Sequence, residues 1–383
     1  MTRRGAAVLT ALLTSALCAL SLGNMLYLYI AILLALVLLY SFFTCLWARQ
    51  TASCHQHLSA AAVYRGESAA LVAQASHACP LPVSPLVGQY AYAGEAGECV
   101  FSALPFRAES RRVKLSARHV GQYGAFISAL LVRDVFGLFQ MKKKPSTAGG
   151  VLTVLPRPFD IEKPRFTLGD DGSAALSRTQ EDYSAPEDVR SYRPGDAMKR
   201  IHWKLSSRKR ELLVRRFETP APPDTLILLD CDTPLGGENV NEGKESLRDA
   251  LCETAVAVAR LQMEDGSPVR LPIYGERANE FSSDHAAGLT LLQEMLAAQP
   301  FGGGEDFARV LNLELRRMRR TGATVIITTR LDAAIVEGVS HIRRMGPSAR
   351  LYLVTYTPDS PDYQPFVARL QHHLVEVCYV TPA

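Results

Sequence analysis

Apolar residues fill the first fifty positions almost without a break: Gly5 to Leu22 and Met25 to Trp47 contain no charged side chain. The second run, MLYLYIAILLALVLLYSFFTCLW, is long enough for a bilayer-crossing helix, which takes roughly 20 residues. The first run is shorter. Only Gly23 and Asn24, a turn-forming pair, separate them, so the pattern predicts a tight helical hairpin with both ends on one side. A cleaved signal peptide is the competing reading. It is disfavoured because a second apolar run follows at once, with no polar mature start.

From about Leu58 to Ile161 the apolar positions recur with a period near two, in AALVAQAS, ECVFSALPF, RRVKLSARH, AFISALLV and GVLTVLP, broken by Pro and Gly. Short strands at this spacing predict a small antiparallel sandwich, with Val113, Leu115, Phe126 and Leu130 facing inward. Residues 163–189 are polar, acidic and aperiodic, which reads as a linker. In residues 190–218, Asp196 is placed to cap a helix whose apolar face is Met198, Ile201 and Leu205, and ELLVRRF reads as a strand leading out.

Beyond Asp224 the texture becomes strand–helix alternation. Strands are expected at TLILLD, VRLPIY, ATVIITT, RLYLVTY and LVEVCYV. Helices are expected near Lys244–Glu264, Ala286–Ala298, Glu305–Arg320, Asp332–Met345 and Asp362–His372. Leu247, Leu251, Thr254, Val258 and Leu261 repeat at helical spacing and predict a face buried on a sheet. Such alternation predicts a mostly parallel, doubly wound sheet. The expected fold is therefore a transmembrane hairpin (1–50), a β-sandwich-like domain (51–162), an acidic linker (163–189), a basic segment (190–218) and an α/β doubly wound domain (219–383).

Charge changes the picture at one place. Arg190 to Glu218 holds ten Lys or Arg against three Asp or Glu, a net of +7 in a chain of net +4. Interleaved with Tyr192, Trp203 and Phe217, these cations can bind phosphates of nucleic acid or lipid, or can brace the acidic linker against the sheet domain. Alternation of apolar and basic residues favours the brace. Arg3, Arg4 and Arg49 flank the hairpin, which predicts cytoplasmic ends and cytoplasmic soluble domains. Eight scattered cysteines without a Cys-x-x-Cys pair fit a reduced compartment.

Candidate chemistry is sparse. Ligands of doubly wound sheets sit beyond the strand C-terminal ends, and the first such end here is LLDCDTP. Asp230 and Asp232 there can offer hard oxygen ligands to a divalent metal. Gly302, Gly303 and Gly304 precede a helix but no Lys-Ser/Thr follows, so a phosphate loop is not expected. Cys54, His55 and His57 lack partner ligands at metal spacing and read as a wetted segment after the hairpin, and His372 and His373 as the end of a surface helix. No Gly-x-Ser-x-Gly elbow is present. No catalytic residue and no cofactor is expected.

The basic stretch, VRSYRPGDAMKRIHWKLSSRKRELLVRRFE, resembles the signature of the bacterial domain-of-unknown-function 58 family at Arg190, Tyr192, Gly195, Asp196, Ile201, Trp203, Arg208, Val214, Phe217 and Glu218. GQYGAFISALLVRDVFGLF is similar to a second family stretch, in which an Asp-x-Phe-Gly-Leu-Phe turn closes the sandwich. The resemblance implies a bacterial membrane protein with a von Willebrand factor A-like C-terminal domain. It further implies work beside a MoxR-type AAA+ ATPase, and contact with other membrane or envelope proteins. The domain implied by the resemblance builds a metal site from an Asp-x-Ser-x-Ser turn, a Thr on a later loop and a further Asp. Asp230, Asp232 and Pro234 stand at the turn, Glu305 at the Thr, and Thr328 and Thr329 at the last Asp, so the site reads as degenerate. The expected function is a non-enzymatic membrane-anchored adaptor in assembly, maturation or envelope stress handling. A metal-dependent hydrolase using Asp230 and Asp232, or a nucleic-acid binder using Arg190 to Arg216, are the alternatives.

Overall fold

The computed structural model describes the chain except residues 103, 162–185, 194–197, 199–200, 218–223, 233–241, 275–277, 303–304, 319–320 and 383, and it describes only the backbone of 186–188, 190, 215–217 and 242. Residues 163–185 of the expected acidic linker, the Asp196 cap and the Gly303–Gly304 pair lie outside the described residues, and the last four residues of that linker, 186–189, are strand rather than loop. The chain divides into two compact units, Met1–Leu155 and Pro156–Ala383.

In the first unit, helices α1 (Arg3–Leu22) and α2 (Met25–Thr51) form the expected hairpin. Gly23 turns the chain at φ +63°, where a side chain would be strained, and its amide bonds back to Ala19. Asn24 then accepts from the Leu26 amide and starts α2. Both helices are long and apolar enough to cross a membrane. Two sheets follow. Strands β1 (Ser53–Leu58), β3 (Ser68–Ser76) and β6 (Glu109–Ser116) make an antiparallel three-stranded sheet. Strands β2 (Ala62–Tyr64), β4 (Leu86–Tyr92), β5 (Glu95–Phe101), β7 (Gly121–Arg133) and β9 (Gly150–Leu155) make a second, in the order β2-β9-β7-β4-β5, with β8 (Gln140–Lys143) paired to β7. One pair, β2 with β9, is parallel, a departure from the all-antiparallel expectation. Leu71, Leu86, Phe101, Leu115, Ile127, Leu130 and Leu152 join the two sheets in one core.

The core corrects one inward assignment. Phe126 is 38% exposed whereas Ile127 and Leu130 are buried. Gln89 pairs with Ala129 and Tyr90 with Ile127, so Ser128 is skipped and β7 bulges between them. A bulge shifts the parity of all residues beyond it, and a strict alternation drawn through Phe126 and Leu130 misplaces one of them. The Cys54–His57 stretch, read as a wetted segment, does expose both histidines. It lies in β1, with Cys54 buried and His55 and His57 outward.

The second unit centres on a six-stranded sheet in the order β14-β13-β12-β15-β16-β17. Its strands are β12 (Asp224–Leu229), β13 (Val269–Ile273), β14 (Asn279–Ser283), β15 (Thr321–Thr328), β16 (Ser348–Val354) and β17 (Glu376–Val380). All pairs are parallel except β13 with β14. Edge strand β14 escaped the sequence reading because it is polar but for buried Phe281. Between the strands run α4 (Glu242–Glu264), α5 (Leu289–Ala298), α6 (Phe307–Arg317), α7 (Ala333–Arg344) and α8 (Gln364–His372). Alternation along β12 sends Leu226 and Leu228 into a core with Phe307 and Leu311 of α6 and Ile335 and Val339 of α7. On α4, Leu251, Thr254 and Val258 are buried as their spacing predicts, and Gln262 accepts from Thr225 of β12.

The basic segment folds as its own small element of this unit. Strands β10 (Pro186–Ser191) and β11 (Leu213–Phe217) pair antiparallel around the short helix α3 (Trp203–Lys209). The expected apolar helix face is not formed. Ile201 precedes α3 and bridges to Val214, Met198 is exposed, and His202 caps α3 by accepting from the Leu205 amide.

Candidate functional site

The register of the parallel sheet builds the acidic site. Leu229 pairs with Ile327, and the Asp230 amide donates to the Ile327 carbonyl at 2.9 Å, so Asp230 leaves β12 beside Thr328 as β15 ends. Asp230 is fully buried, and its Oδ2 accepts from the Thr328 hydroxyl at 2.7 Å and from Arg330 Nε at 3.3 Å. Its Oδ1 accepts from the Asp232 amide at 3.1 Å, an Asx turn that fixes both side chains. Asp232 then accepts from Arg330 Nη2. The two carboxylates therefore converge, as the sequence suggested, but they converge on a guanidinium.

Burial pushes the Asp230 carboxyl above its ordinary range, while Thr328 and Arg330 pull it back toward ionisation. The fork of Arg330 suits two carboxylates better than a point charge does. It takes one oxygen of each carboxylate, Oδ2 of Asp230 and Oδ2 of Asp232. Glu305 pairs with Arg309 at 3.1 Å, and Asp306, which caps α6 by accepting from the Ala308 amide, stands 3.9 Å from Arg330 Nη2. Pro234 lies outside the described residues. Among the described residues no group of three or more His, Cys, Asp or Glu is arranged to hold a metal ion. Cys231, next to the pair, has its thiol pushed up to about 12 by burial, with the Asp230 charge adding, so it is not a thiolate near neutral pH.

A second polar cluster, missed in the sequence, lies in the same sheet. Buried Glu314 of α6 accepts from Tyr274, from Arg270 Nη2 at 2.8 Å and from Arg317 Nη1 at 3.2 Å. Arg270 also reaches Asp224 at 3.3 Å and Glu280 at 3.2 Å, tying three strands to one helix. The available signal was a Glu at a position on α6 that the helical period places inward with Phe307, Val310 and Leu311.

The signature residues of the basic segment divide. Ile201 is buried, Trp203 is 59% exposed, and Arg208 is exposed beside Lys204 and Lys209. The Tyr192 amide donates to the Leu212 carbonyl at 2.8 Å, and Ser206 and Leu213 exchange hydrogen bonds, which closes the hairpin on α3. Arg190 pairs with Val214 and Phe217 with Pro186 along the backbone. Gly195, Asp196 and Glu218 lie outside the described residues. Exposed Trp203, Lys204, Arg208 and Lys209 make α3 a basic surface suited to acidic groups.

Comparison with known families finds that residues 188–351 match the family described as "Protein of unknown function DUF58". No curated protein matches. Among solved structures, the chain is similar to Pseudomonas fluorescens alkylpurine DNA glycosylase AlkC bound to DNA containing an abasic site analog, with 17% identity, TM-score 0.20, and 34% of this chain and 40% of that chain covered. It is similar to Cwp6 from Clostridium difficile, with 9% identity, TM-score 0.19, and 86% and 53% covered. It is also similar to a Paenibacillus sp. cycloisomaltooligosaccharide glucanotransferase complexed with cycloisomaltoheptaose, with 10% identity, TM-score 0.18, and 85% and 52% covered. The chain spans about half or less of each of these proteins, and likenesses this distant say nothing of its activity.

Proposed function

We propose, from the premise that over residues 188–351 the chain belongs to the DUF58 family, that it is a membrane-anchored, non-enzymatic adaptor. Its α1–α2 hairpin lies in the bilayer, and the cations Arg3, Arg4 and Arg49 at the hairpin's two ends keep the folded units on the cytoplasmic side. The sheet order of the second unit, with one antiparallel edge, supports a von Willebrand factor A-like domain, a module that presents a strand-end surface to partners. Arg330 is the single observation that carries the reading. A guanidinium seated on Asp230 and Asp232 consumes the carboxylates on which metal-dependent hydrolysis at that end would depend. Function then falls to exposed surface, and the cations around Trp203 suit an acidic partner.

The partner proposed is a MoxR-type AAA+ ATPase, in assembly, maturation or envelope stress handling, as the family resemblance implies. Crosslinking in native membranes followed by mass spectrometry is expected to recover such an ATPase with the unaltered chain and to lose it with Trp203→Ala/Arg208→Glu. Recovery unchanged by the double substitution overturns the assignment of the surface. Recovery of no AAA+ ATPase overturns the partner, and substrate turnover by the purified protein overturns the adaptor reading.

A further inference from the structure

The turn between β7 and β8, Arg133-Asp-Val-Phe-Gly-Leu-Phe139, breaks the usual rule for a surface turn: Val135 and Phe136 at its tip are exposed, and Phe136 is half uncovered. The turn is built to be rigid. Buried Asp134 accepts from the amides of Phe136 at 3.0 Å and Phe139 at 2.6 Å, and the Gly137 amide donates to the Asp134 carbonyl at 3.0 Å. Gly137 sits at φ +68°, a conformation that favours glycine. The polar groups at the centre of the turn are thus met from within, which is the condition for backbone to sit at membrane depth.

The same turn is bound to both helices. The Thr2 hydroxyl donates to the Gly137 carbonyl at 2.6 Å and the Thr2 amide to the Leu138 carbonyl at 2.9 Å. A Cβ on Gly5 would fall 2.3 Å from the Leu138 carbonyl oxygen, so α1 approaches the turn as closely as a glycine allows. On α2, Tyr40 stacks edge-on to Phe136 with centroids 6.5 Å apart, and Phe42 to Phe139 at 5.6 Å. Tyr40 lies seven residues before Trp47, inside the apolar run, which places the tip roughly 10 Å along the helix axis from the end of that run.

Charge around this place has one sign. Residues 1–52 contain no Asp or Glu, and residues 133–144 contain only the buried Asp134. Arg3, Arg4, Arg49, Arg133, Lys142 and Lys144 are exposed, while Lys143 donates to the Gln50 carbonyl at the end of α2. Apolar side chains at a tip with cations beside it, Arg4 Nη1 lying 3.9 Å from where a Cβ on Gly137 would stand, are the arrangement of a group that enters a bilayer surface beneath anionic headgroups.

We infer that the β7–β8 turn is a lipid-binding foot: Val135 and Phe136 enter the acyl boundary of the membrane that holds the hairpin, and the cations of Arg133 and β8 bind the phosphates of anionic phospholipids. The inference rests on the proposed membrane anchoring and adds to it a fixed orientation of the sheet unit against the bilayer.

Full-length protein in a Trp47→Phe/Trp203→Phe background, reconstituted in vesicles of phosphatidylcholine brominated high on the acyl chain, tests it with one tryptophan introduced by Phe136→Trp. A control carries Leu36→Trp, within α2 and exposed. The foot predicts strong quenching and blue-shifted emission from position 136. Val135→Trp is a second probe should Phe136→Trp fail to fold. Quenching at position 36 with water-like, unquenched emission at both 135 and 136 overturns the foot and leaves the anchor standing. No quenching at any of the three overturns both. Adding phosphatidylglycerol is expected to raise quenching at position 136 on the order of twofold, and Lys142→Glu/Lys144→Glu to abolish that rise. Equal quenching with and without phosphatidylglycerol overturns the anionic preference.

Discussion

Replacing Arg330 with methionine tests the central geometry directly. The substitution keeps an extended side chain but removes the cation shared by Asp230 and Asp232. Removing one partner of a fully buried pair costs about 3–5 kcal/mol, chiefly because the other charge is stranded. Asp230 is fully buried but Arg330 is 38% exposed, so water replaces part of the lost interaction and the expected cost falls to about 2–3 kcal/mol. In thermal unfolding of the full-length protein in micelles, that is a drop of roughly 4–12 °C. The deficit depends on pH in a stated direction. The Asp230 carboxyl is already raised above 3.8 by burial, against the pull of Thr328 and Arg330. A group raised in the folded state contributes stability that is fully present below its unfolded pKa and is lost as pH rises through the folded one. Without Arg330 the folded value climbs further and the loss deepens, so the variant is worst near neutral pH and approaches the parent as pH falls toward 3.8. Asp230→Asn removes the stranded charge, and the double variant is expected to recover most of the loss, a coupling on the order of 2 kcal/mol. An Arg330→Met variant within about 0.5 kcal/mol of the parent at neutral pH, or a deficit flat with pH, refutes the reasoning.

Two further outcomes follow from the packing. Glu314→Ala removes the buried acceptor shared by Tyr274, Arg270 and Arg317 and leaves a cavity, while Arg270 keeps Asp224 and Glu280; it is expected to lower the denaturant midpoint by an amount worth about 1–3 kcal/mol at unchanged slope, and Glu314→Gln, which keeps the volume and one acceptor, costs less. An unchanged midpoint in the alanine variant shows that the cluster is not a brace. The β7 bulge makes Leu130→Ala cost about 2–5 kcal/mol and Phe126→Ala under about 1 kcal/mol, and the reverse order in the same unfolding assay removes the bulge from the account.

Much of the architecture was legible because burial imposes periods that the chain must obey. The hairpin, five of the six strands in the second unit and its helices follow from runs whose apolar spacing matches a bilayer length, a strand or a helix face. The failures share one cause, a position set by a partner far away in sequence. Ser128 is skipped only because β4 pairs as it does, and nothing near Phe126 in the sequence announces the change of parity. Edge strand β14 needs just Phe281 in the core, and a single inward residue leaves no period to read. Ile201 belongs to a bridge with Val214 rather than to a helix face, a choice made by β11.

The carboxylate pair at the end of β12 obeys the same rule. Sequence comparison asks whether ligating side chains stand at the expected places, and at the end of β15 it meets Thr328 and Thr329 and can say only that a carboxylate is missing. Pairing of Leu229 with Ile327 supplies what that test lacks. It brings Thr328 and Arg330, about a hundred residues away, onto Asp230, so the buried carboxylate meets a cation that no local pattern announces. Without that cation the buried carboxylate would stand uncompensated, at a cost of several kcal/mol. Here the buried charge is answered by a guanidinium that also reaches Asp232, so the strand end is stable when nothing is bound.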